Sequence, residues 1–372
     1  MQPRRTSKQN AAPLQKPATS PVRVMIVDDS LTVRTVFSRM IASDRQLKLT
    51  ASASSAEAAL EILTNTPTDV ILLDLEMPGM GGLKALPKLL NASAQAQVLV
   101  VSSLTEDGAE HTLAALSMGA ADTMLKPRPG GFDEAYRLTL LEKIRALGGH
   151  DTVPASEHAQ QLNKARATGS AGIGLIKKRP KIVAFGASTG GIHALNIILK
   201  ALPQTFNLPL VITQHLPPNF IPIFARQVQT ISGRKTLIAS AGEKVQPGQI
   251  LIASGEGHMG FELSGETIVT NVSGEKAPSG CLPSVDPMFA SLAHIYDGQV
   301  LGVVLSGMGR DGLQGAKELV EAGGAIIAQD VESSAVWGMP GAVVNSGLAS
   351  ACLPPEDIVD AITAAAGAMA WT

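Results

Sequence analysis

Aromatic side chains are scarce in this 372-residue sequence, at 3%, too few to build the stacking platforms on which nucleic-acid bases lie. An excess of one charge is also missing. Thirty Lys and Arg meet 32 Asp and Glu, for a formal net charge of −2, and this argues against a nucleic-acid surface as the main business of the chain. The two cysteines, Cys281 and Cys352, cannot make a disulfide framework, and neither stands at a metal-like spacing. They read as core or surface thiols in a reducing, cytoplasmic setting. No apolar run is long enough to span a bilayer, so no membrane insertion is expected. Residues 1–21 carry Arg4, Arg5, Lys8 and Lys16 without an acid and without the apolar core of a signal peptide. They read as a disordered basic tail. What the sequence does hold is 45% hydrophobic residues and 36 glycines, enough for sizeable cores joined by many short turns. The length allows two or three domains.

From Val22 onward, strand-like and helical runs alternate. Strands are expected at 22–27, 47–53, 70–73, 97–101 and 123–125. Helices are expected at 31–41, with Ser30 as its cap, and at 56–63, 107–118 and 132–147. Such alternation makes a doubly wound parallel sheet, whose ligands bind at the carboxyl ends of the strands. Asp28, Asp29, Asp74, Ser102 and Lys126 all stand at such ends. One acid there is usually a solvated loop residue. Five chemically matched groups at consecutive ends are not so easily dismissed. Crowded carboxylates suit a hard cation such as Mg²⁺, and a carboxylate beside a metal, a lysine and a hydroxyl can accept a phosphoryl group. Residues 148–180, rich in Gly, Ser, Ala and Thr, read as an interdomain linker with a short helix near 159–165. His150 and His158 lie there as solvated side chains.

The second half is organised around Val183-Ala184-Phe185-Gly186-Ala187-Ser188-Thr189-Gly190-Gly191. An apolar strand stops at a glycine, a serine sits on the corner, and glycines open a helix. This is the mechanical pattern of a nucleophile elbow, although a glycine-rich turn can also bind a phosphate or merely turn. Leu210–Thr213 is a further strand, followed by His215, and Val300–Leu305 is another, followed by the loop that carries Asp311. Four short strands at 236–240, 250–253, 260–263 and 267–270 suggest an antiparallel flap. Helices are expected at 192–199, 219–228, 284–295 and 313–322, and a last strand at 325–329. Ser188, His215 and Asp311 thus share one sheet edge, where a histidine can take the serine proton and a carboxylate can orient the histidine. Among the other histidines, His193 is expected to be half buried and His111 lies on a helix. His258 or His294 could be the base of an α/β-hydrolase order, with Glu243, Glu256 or Asp286 as the acid.

Val27-Asp28-Asp29-Ser30, Leu73-Asp74-Leu75-Glu76-Met77-Pro78 and Lys126-Pro127 resemble the receiver domain of two-component response regulators. The resemblance implies that Asp74 is the phosphoacceptor and that Asp29 and the Glu76 carbonyl, assisted by Asp28, are Mg²⁺ ligands. It further implies that Ser102 is the switch hydroxyl and Lys126 the phosphate contact. Thr123 stands where receivers often carry an aromatic, and Gly81-Gly82 where many read Asp-Gly. Gly186 to Gly191, Thr213-Gln214-His215, Pro283-Ser284-Val285-Asp286, Gly307-Met308-Gly309-Arg310-Asp311-Gly312, Gly338-Met339-Pro340 and Ser102-Ser103-Leu104-Thr105-Glu106 resemble the chemotaxis protein-glutamate methylesterases. The family implies two doubly wound domains, a flavodoxin-like receiver at 22–147 and a Rossmann-like catalytic domain at 181–372. It also implies a Ser188–His215–Asp311 triad, with Thr189 and Met308 backbone N–H groups as oxyanion donors and no cofactor for the esterase step. The implied reaction is hydrolysis of glutamate γ-methyl esters, and deamidation of glutamines, on methyl-accepting chemoreceptors. Activation by a chemotaxis histidine kinase is implied as well. The family commonly has an arginine where this chain has Leu282, after Cys281. A degenerate hydrolase that only docks on a receptor, or a small-molecule esterase, are the competing readings.

Overall fold

The structure is a computed structural model. It describes residues 20–93, 96–102, 106–127, 131–149 and 178–367, so the basic tail, the helix near 159–165, His150 and His158 lie outside the described residues. In the N-terminal half, β1 (Val22–Val27), β2 (Leu47–Ala53), β3 (Val70–Asp74), β4 (Gln97–Ser102) and β5 (Asp122–Leu125) form one sheet in the order β2-β1-β3-β4-β5. Every pairing is parallel. The central strands read as unbroken apolar runs because helices cover both faces, and β3 is buried from end to end. The helices are α1 (Leu31–Ala42), α2 (Ala56–Leu63), α3 (Gly82–Ala92), α4 (Glu106–Ser117) and α5 (Glu134–Leu147). Side chains cap three of them: Ser30 accepts from Val33 N (3.4 Å), Ser55 from Ala58 N (3.2 Å) and Asp133 from Tyr136 N (2.9 Å).

Helix α3 has no counterpart in the sequence reading. It opens on Gly81-Gly82 and holds Pro87, residues that argue against a helix on propensity alone. The glycine is required by proximity: a Cβ on Gly82 would stand 2.0 Å from the Asp74 carbonyl oxygen. The start of α3 is therefore pressed against the carboxyl end of β3.

The second sheet has the order β14-β13-β12-β6-β7-β9-β8, again wholly parallel. Its strands are β6 (Ile182–Ala187), β7 (Leu210–Gln214), β8 (Thr236–Ile238), β9 (Ile250–Ile252), β12 (Val300–Val304), β13 (Ala325–Gln329) and β14 (Ala351–Leu353). The intervening helices are α6 (Gly191–Ala201), α7 (Ile221–Ser232), α8 (Val285–Ile295), α9 (Leu313–Glu321), α10 (Met339–Asn345) and α11 (Pro355–Ala365). The flap expectation is half corrected. Only β10 (His258–Ser264) and β11 (Thr267–Ser273) make an antiparallel hairpin. β8 and β9 extend the parallel sheet, and β9 is fully buried there. α10, β14 and α11 were not expected, because glycine and proline at their starts mask short elements.

The two halves touch through the start of α6. Gly190 N donates to Ala121 O (2.6 Å), and Thr189 Oγ1 donates to Asp122 Oδ2 (2.6 Å), the same oxygen that Lys143 Nζ meets at 2.5 Å. Ser117 Oγ accepts from Asn196 Nδ2 (2.9 Å) and from Gln227 Nε2. His193 is exposed rather than half buried. It lies on the outer face of α6, with its Nδ1 3.2 Å from Ser117 O. Val336, Met308 and Ala335 pack into the apolar cluster of the first domain. A cavity of about 340 Å³ remains between the halves, with β5, Tyr136 and Lys143 on one wall and His215, Leu216 and Phe220 on the other.

Candidate active site

Both constellations expected from the sequence stand where the strand order reverses, the place where doubly wound sheets bind ligands. In the C-terminal sheet that point lies between β6 and β12. Ser188 follows β6 directly, and Gly190, in the left-handed region at φ +79°, lets the chain turn into α6. A Cβ on Gly190 would meet Ser306 Oγ and Ala335 Cβ, each at 2.6 Å, so the corner tolerates no side chain. The serine is held by its backbone. Its N–H donates to Ser306 O (3.0 Å), and its carbonyl accepts from Gln214 Nε2 (3.0 Å).

His215 arrives by register. Ala187 pairs with Gln214 across β6 and β7, and His215 N donates to Ala187 O (3.0 Å), so serine and histidine each follow a paired residue. No hydrogen bond joins the Ser188 hydroxyl to His215 among the described residues. The histidine meets Asp311 instead, with Nε2 2.8 Å from Asp311 Oδ2. Donation from Nε2 leaves Nδ1 as the ring's acceptor. Asp311 is 1% exposed and collects two further donors: Ser284 Oγ (2.6 Å) on Oδ1 and Val285 N (2.7 Å) on Oδ2. Burial alone would raise this carboxyl. The bond to His215, its charge and the Ser284 and Val285 donors outweigh burial and push it down to about 2. For His215, burial works against the charged ring. Asp311 and the neighbouring Cys281 outweigh it and raise the imidazole to about 9.

His258 is not free to act as a base. It is 2% exposed, its Nε2 lies 2.6 Å from Glu275 O, and its Nδ1 accepts from Ser284 N (2.9 Å). It holds the residue that holds Asp311. His294 is exposed at the end of α8. Asp286, a carboxylate of the rival order, accepts from Gly315 N (2.7 Å) at the start of α9. Burial, helped by the negative Asp311 nearby and opposed by the Gly315 and Gln314 backbone donors, raises it to about 6. The supporting roles of Gln214, Ser284 and His258 escaped the sequence reading, which saw the first two only as parts of motifs.

Met308 is brought to the serine by Gly307. A Cβ there would lie 2.8 Å from Ser188 Cβ, so the β12 loop packs directly on the Ser188 corner. Among the described residues, neither Thr189 N–H nor Met308 N–H has an acceptor. Two unengaged backbone donors beside a serine are what a developing oxyanion needs.

In the N-terminal sheet the reversal falls between β1 and β3. Asp28, Asp29 and Asp74 bring donor oxygens within 4.8 Å of one another. Lys126 Nζ lies 2.9 Å from Asp28 Oδ2 and 2.7 Å from Asp74 Oδ2. Burial raises the Asp74 carboxyl, against the pull of Lys126. Burial also opposes the charge on Lys126, but the two carboxylates together raise it. Asp28 and Asp74 are each 2% exposed, and among the described residues their facing oxygens meet only this ammonium. An all-oxygen carboxylate set with lone pairs to spare fits a hard divalent cation. Glu76 N donates to Asp74 Oδ1 (3.0 Å), which fixes the turn whose carbonyl the sequence reading assigned to the metal. Ser102 is fully buried one residue past the Asp74–Val101 pair, and its Oγ has no partner among the described residues.

Family models match two segments, CheB methylesterase over residues 183–362 and response regulator receiver domain over residues 24–133. The chain is 43% identical over 342 residues to protein-glutamate methylesterase/protein-glutamine glutaminase 2 of Caulobacter vibrioides, covering 91% of this chain and 96% of that one. It is 38% identical over 370 residues to protein-glutamate methylesterase/protein-glutamine glutaminase 1 of Rhodospirillum rubrum, covering 91% and 93%. Among solved structures, the CheB methylesterase catalytic domain of Thermotoga maritima is 35% identical over 49% of this chain and 97% of its own, with a TM-score of 0.48.

The electrostatics give a direct test. His215 stays protonated through neutral pH and loses its proton only as pH rises through about 9. A folded value raised from 6.5 also means stability that is complete below 6.5 and lost as pH climbs through 9. NMR titration of the labelled full chain should show this midpoint, and Asp311→Asn should lower it by at least about one unit, since an adjacent opposite charge shifts a group by that order. A midpoint at the ordinary imidazole value, unmoved by the substitution, contradicts the assignment.

Proposed function

The chain belongs to the protein-glutamate methylesterase/protein-glutamine glutaminase family, and from that premise we propose how its residues divide the work. It is a hydrolase of chemotactic adaptation, a response-regulator receiver domain joined to a methylesterase domain. We place the receiver at 22–147 and the catalytic domain at 181–372. The observation that carries the catalytic reading is the pairing of half-buried His215 with buried Asp311 at 2.8 Å, one strand over from a serine on a glycine corner.

In this reading Ser188 Oγ attacks the carbonyl carbon of a glutamate γ-methyl ester on a methyl-accepting chemoreceptor, and its proton passes to Nδ1 of the fraction of His215 that is neutral, a fraction that grows as pH rises toward about 9. Asp311 fixes the ring and stabilises the imidazolium. The Thr189 and Met308 N–H groups take the oxyanion, a contribution of about 3–4 kcal/mol per donor in comparable sites. His215 then returns the proton to the leaving methoxide and methanol departs. Water gives its proton to His215, attacks the acyl-enzyme, and frees Ser188 and the glutamate. With a glutamine substrate the leaving group is ammonia and the steps are the same.

Asp74 is the phosphoacceptor, and the phosphodonor is the chemotaxis histidine kinase, which places the work in the cytoplasm. Asp28, Asp29, Asp74 and the Glu76 carbonyl would hold Mg²⁺, which when bound neutralises charge on the phosphoryl oxygens. Lys126 and Ser102 contact the transferred group. Among the described residues no helix is long and apolar enough to cross a membrane.

The unphosphorylated receiver restrains the esterase through the start of α6. The Ala121 carbonyl and the Asp122 carboxylate take hydrogen bonds from Gly190 N–H and Thr189 Oγ1, so the receiver grips the very corner that carries the nucleophile. Phosphorylation loosens that grip.

Three outcomes are expected. Ser188→Ala should cut methanol release from methylated receptor by about six orders of magnitude; undiminished release removes the triad. Asp74→Asn should abolish stimulation by a small phosphodonor, and stimulation that survives removes the receiver assignment. Asp122→Ala deletes a charge-assisted hydrogen bond worth about 1.5 kcal/mol or more, so the unphosphorylated chain should hydrolyse ester roughly tenfold faster. An unchanged basal rate speaks against control through the corner.

A further inference from the structure

Cys281 does not sit apart as its sequence spacing suggests. The half-buried thiol stands beside the catalytic pair: His215, Cys281 and Asp311 each offer one donor atom, and the three atoms lie within 4.8 Å of one another. They come from the ends of β7 and β12 and from the loop before α8, so no local motif could reveal them. The donors are an imidazole nitrogen, a thiol sulfur and a carboxylate oxygen. Hard cations avoid the sulfur, whereas zinc-class cations accept all three and often keep a fourth position for water.

We propose that His215, Cys281 and Asp311 form a binding site for a zinc-class divalent cation whose occupancy reversibly withdraws His215 from catalysis. The bond lengths allow it. Zinc holds nitrogen and oxygen at about 2.0–2.2 Å, which in a tetrahedron places them roughly 3.3 Å apart. The 2.8 Å His215–Asp311 contact therefore opens by about half an ångström. Asp311 keeps its Ser284 and Val285 donors, which orient the carboxylate as outer partners orient metal ligands. The thiol gives its proton to solvent on binding, and the cation takes Nε2, so the ring's remaining proton sits on Nδ1 and fills the lone pair that the serine proton needs. Metal binding is independent of the hydrolase reading; the inhibitory consequence rests on His215 being the base.

The test uses the full chain with excess Mg²⁺ present, so that the Asp28–Asp29–Asp74 cluster is filled, and Co²⁺ as the probe. One equivalent of Co²⁺ should produce a thiolate-to-cobalt charge-transfer band in the near ultraviolet. Cys352→Ser should keep the band and Cys281→Ser should lose it. Saturating Zn²⁺ should slow modification of Cys281 by a thiol reagent at least tenfold in the parent and not in His215→Ala. A parent chain without the band, or a Cys281→Ser chain that retains it, overturns the site. Hydrolysis that continues with the cobalt band fully developed overturns the inhibitory role alone.

Discussion

Asp311 is the constraint on which the catalytic edge depends. A carboxylate with 1% exposure is tolerated only when its charge is answered on every side. Here the answers are His215 Nε2, Ser284 Oγ and Val285 N. Each fixes a different part of the site. The histidine bond sets the ring's tautomer. The Ser284 and Val285 bonds pin the start of α8, and with it the loop that carries Cys281. His258, buried and bonded at both ring nitrogens, extends the chain one residue further. The polar network is therefore continuous from the β10–β11 hairpin to His215. Removing any member leaves a buried charge or donor unsatisfied, a larger penalty than the net worth of the bond itself.

The two sheets use one device twice. Each places its chemistry where strand order reverses, with a carboxylate network on one side and backbone donors or a lysine on the other. They are joined so that the two sites are mechanically adjacent. Lys126, which bridges Asp28 and Asp74, immediately follows β5, and Asp122, which holds Thr189, begins it. Four residues of strand span about 13 Å, too stiff a connection for one end to move without the other.

Much of this was legible in the chain. β1, α2 and β13 have the boundaries their patterns predict, because burial makes the apolar run coincide with the strand and Ser55 marks a helix start. Ser188, His215 and Asp311 were legible as types at strand ends, and the sheet order brings them to one edge. α3 was not legible, since Gly82 and Pro87 serve a tight approach to β3 and not helix propensity. β8 and β9 look like flap strands because three-residue segments between glycine turns carry no sign of strand direction. Whether such a segment pairs parallel or antiparallel is decided by the crossover that precedes it. The second layer of the site, Gln214, Ser284 and His258, was illegible for a related reason. A side chain that positions another has no chemistry of its own to advertise, and only coordinates disclose its partner. Cys281 belongs to the same class.

The energy available to switch the receiver can be read from what the structure leaves unsatisfied. Ser102 Oγ and Thr123 Oγ1 are buried without hydrogen-bond partners among the described residues, and Ser102 pairs with Leu125 across β4 and β5. A buried hydroxyl in that condition is worse off by about 1–3 kcal/mol than a satisfied one. Phosphoryl oxygens on Asp74, the proposed acceptor residue, would give Ser102 an acceptor, and because Ser102 pairs with Leu125 any shift at the end of β4 carries β5 with it. The state that satisfies Ser102 is thereby favoured by a free energy of the same order as a typical coupling between two sites. It is also of the order of the charge-assisted bond from Thr189 to Asp122, by which β5 holds the Ser188 corner. The two terms are matched closely enough for a single phosphoryl group to tip the balance, and neither is large enough to lock the enzyme permanently in one state.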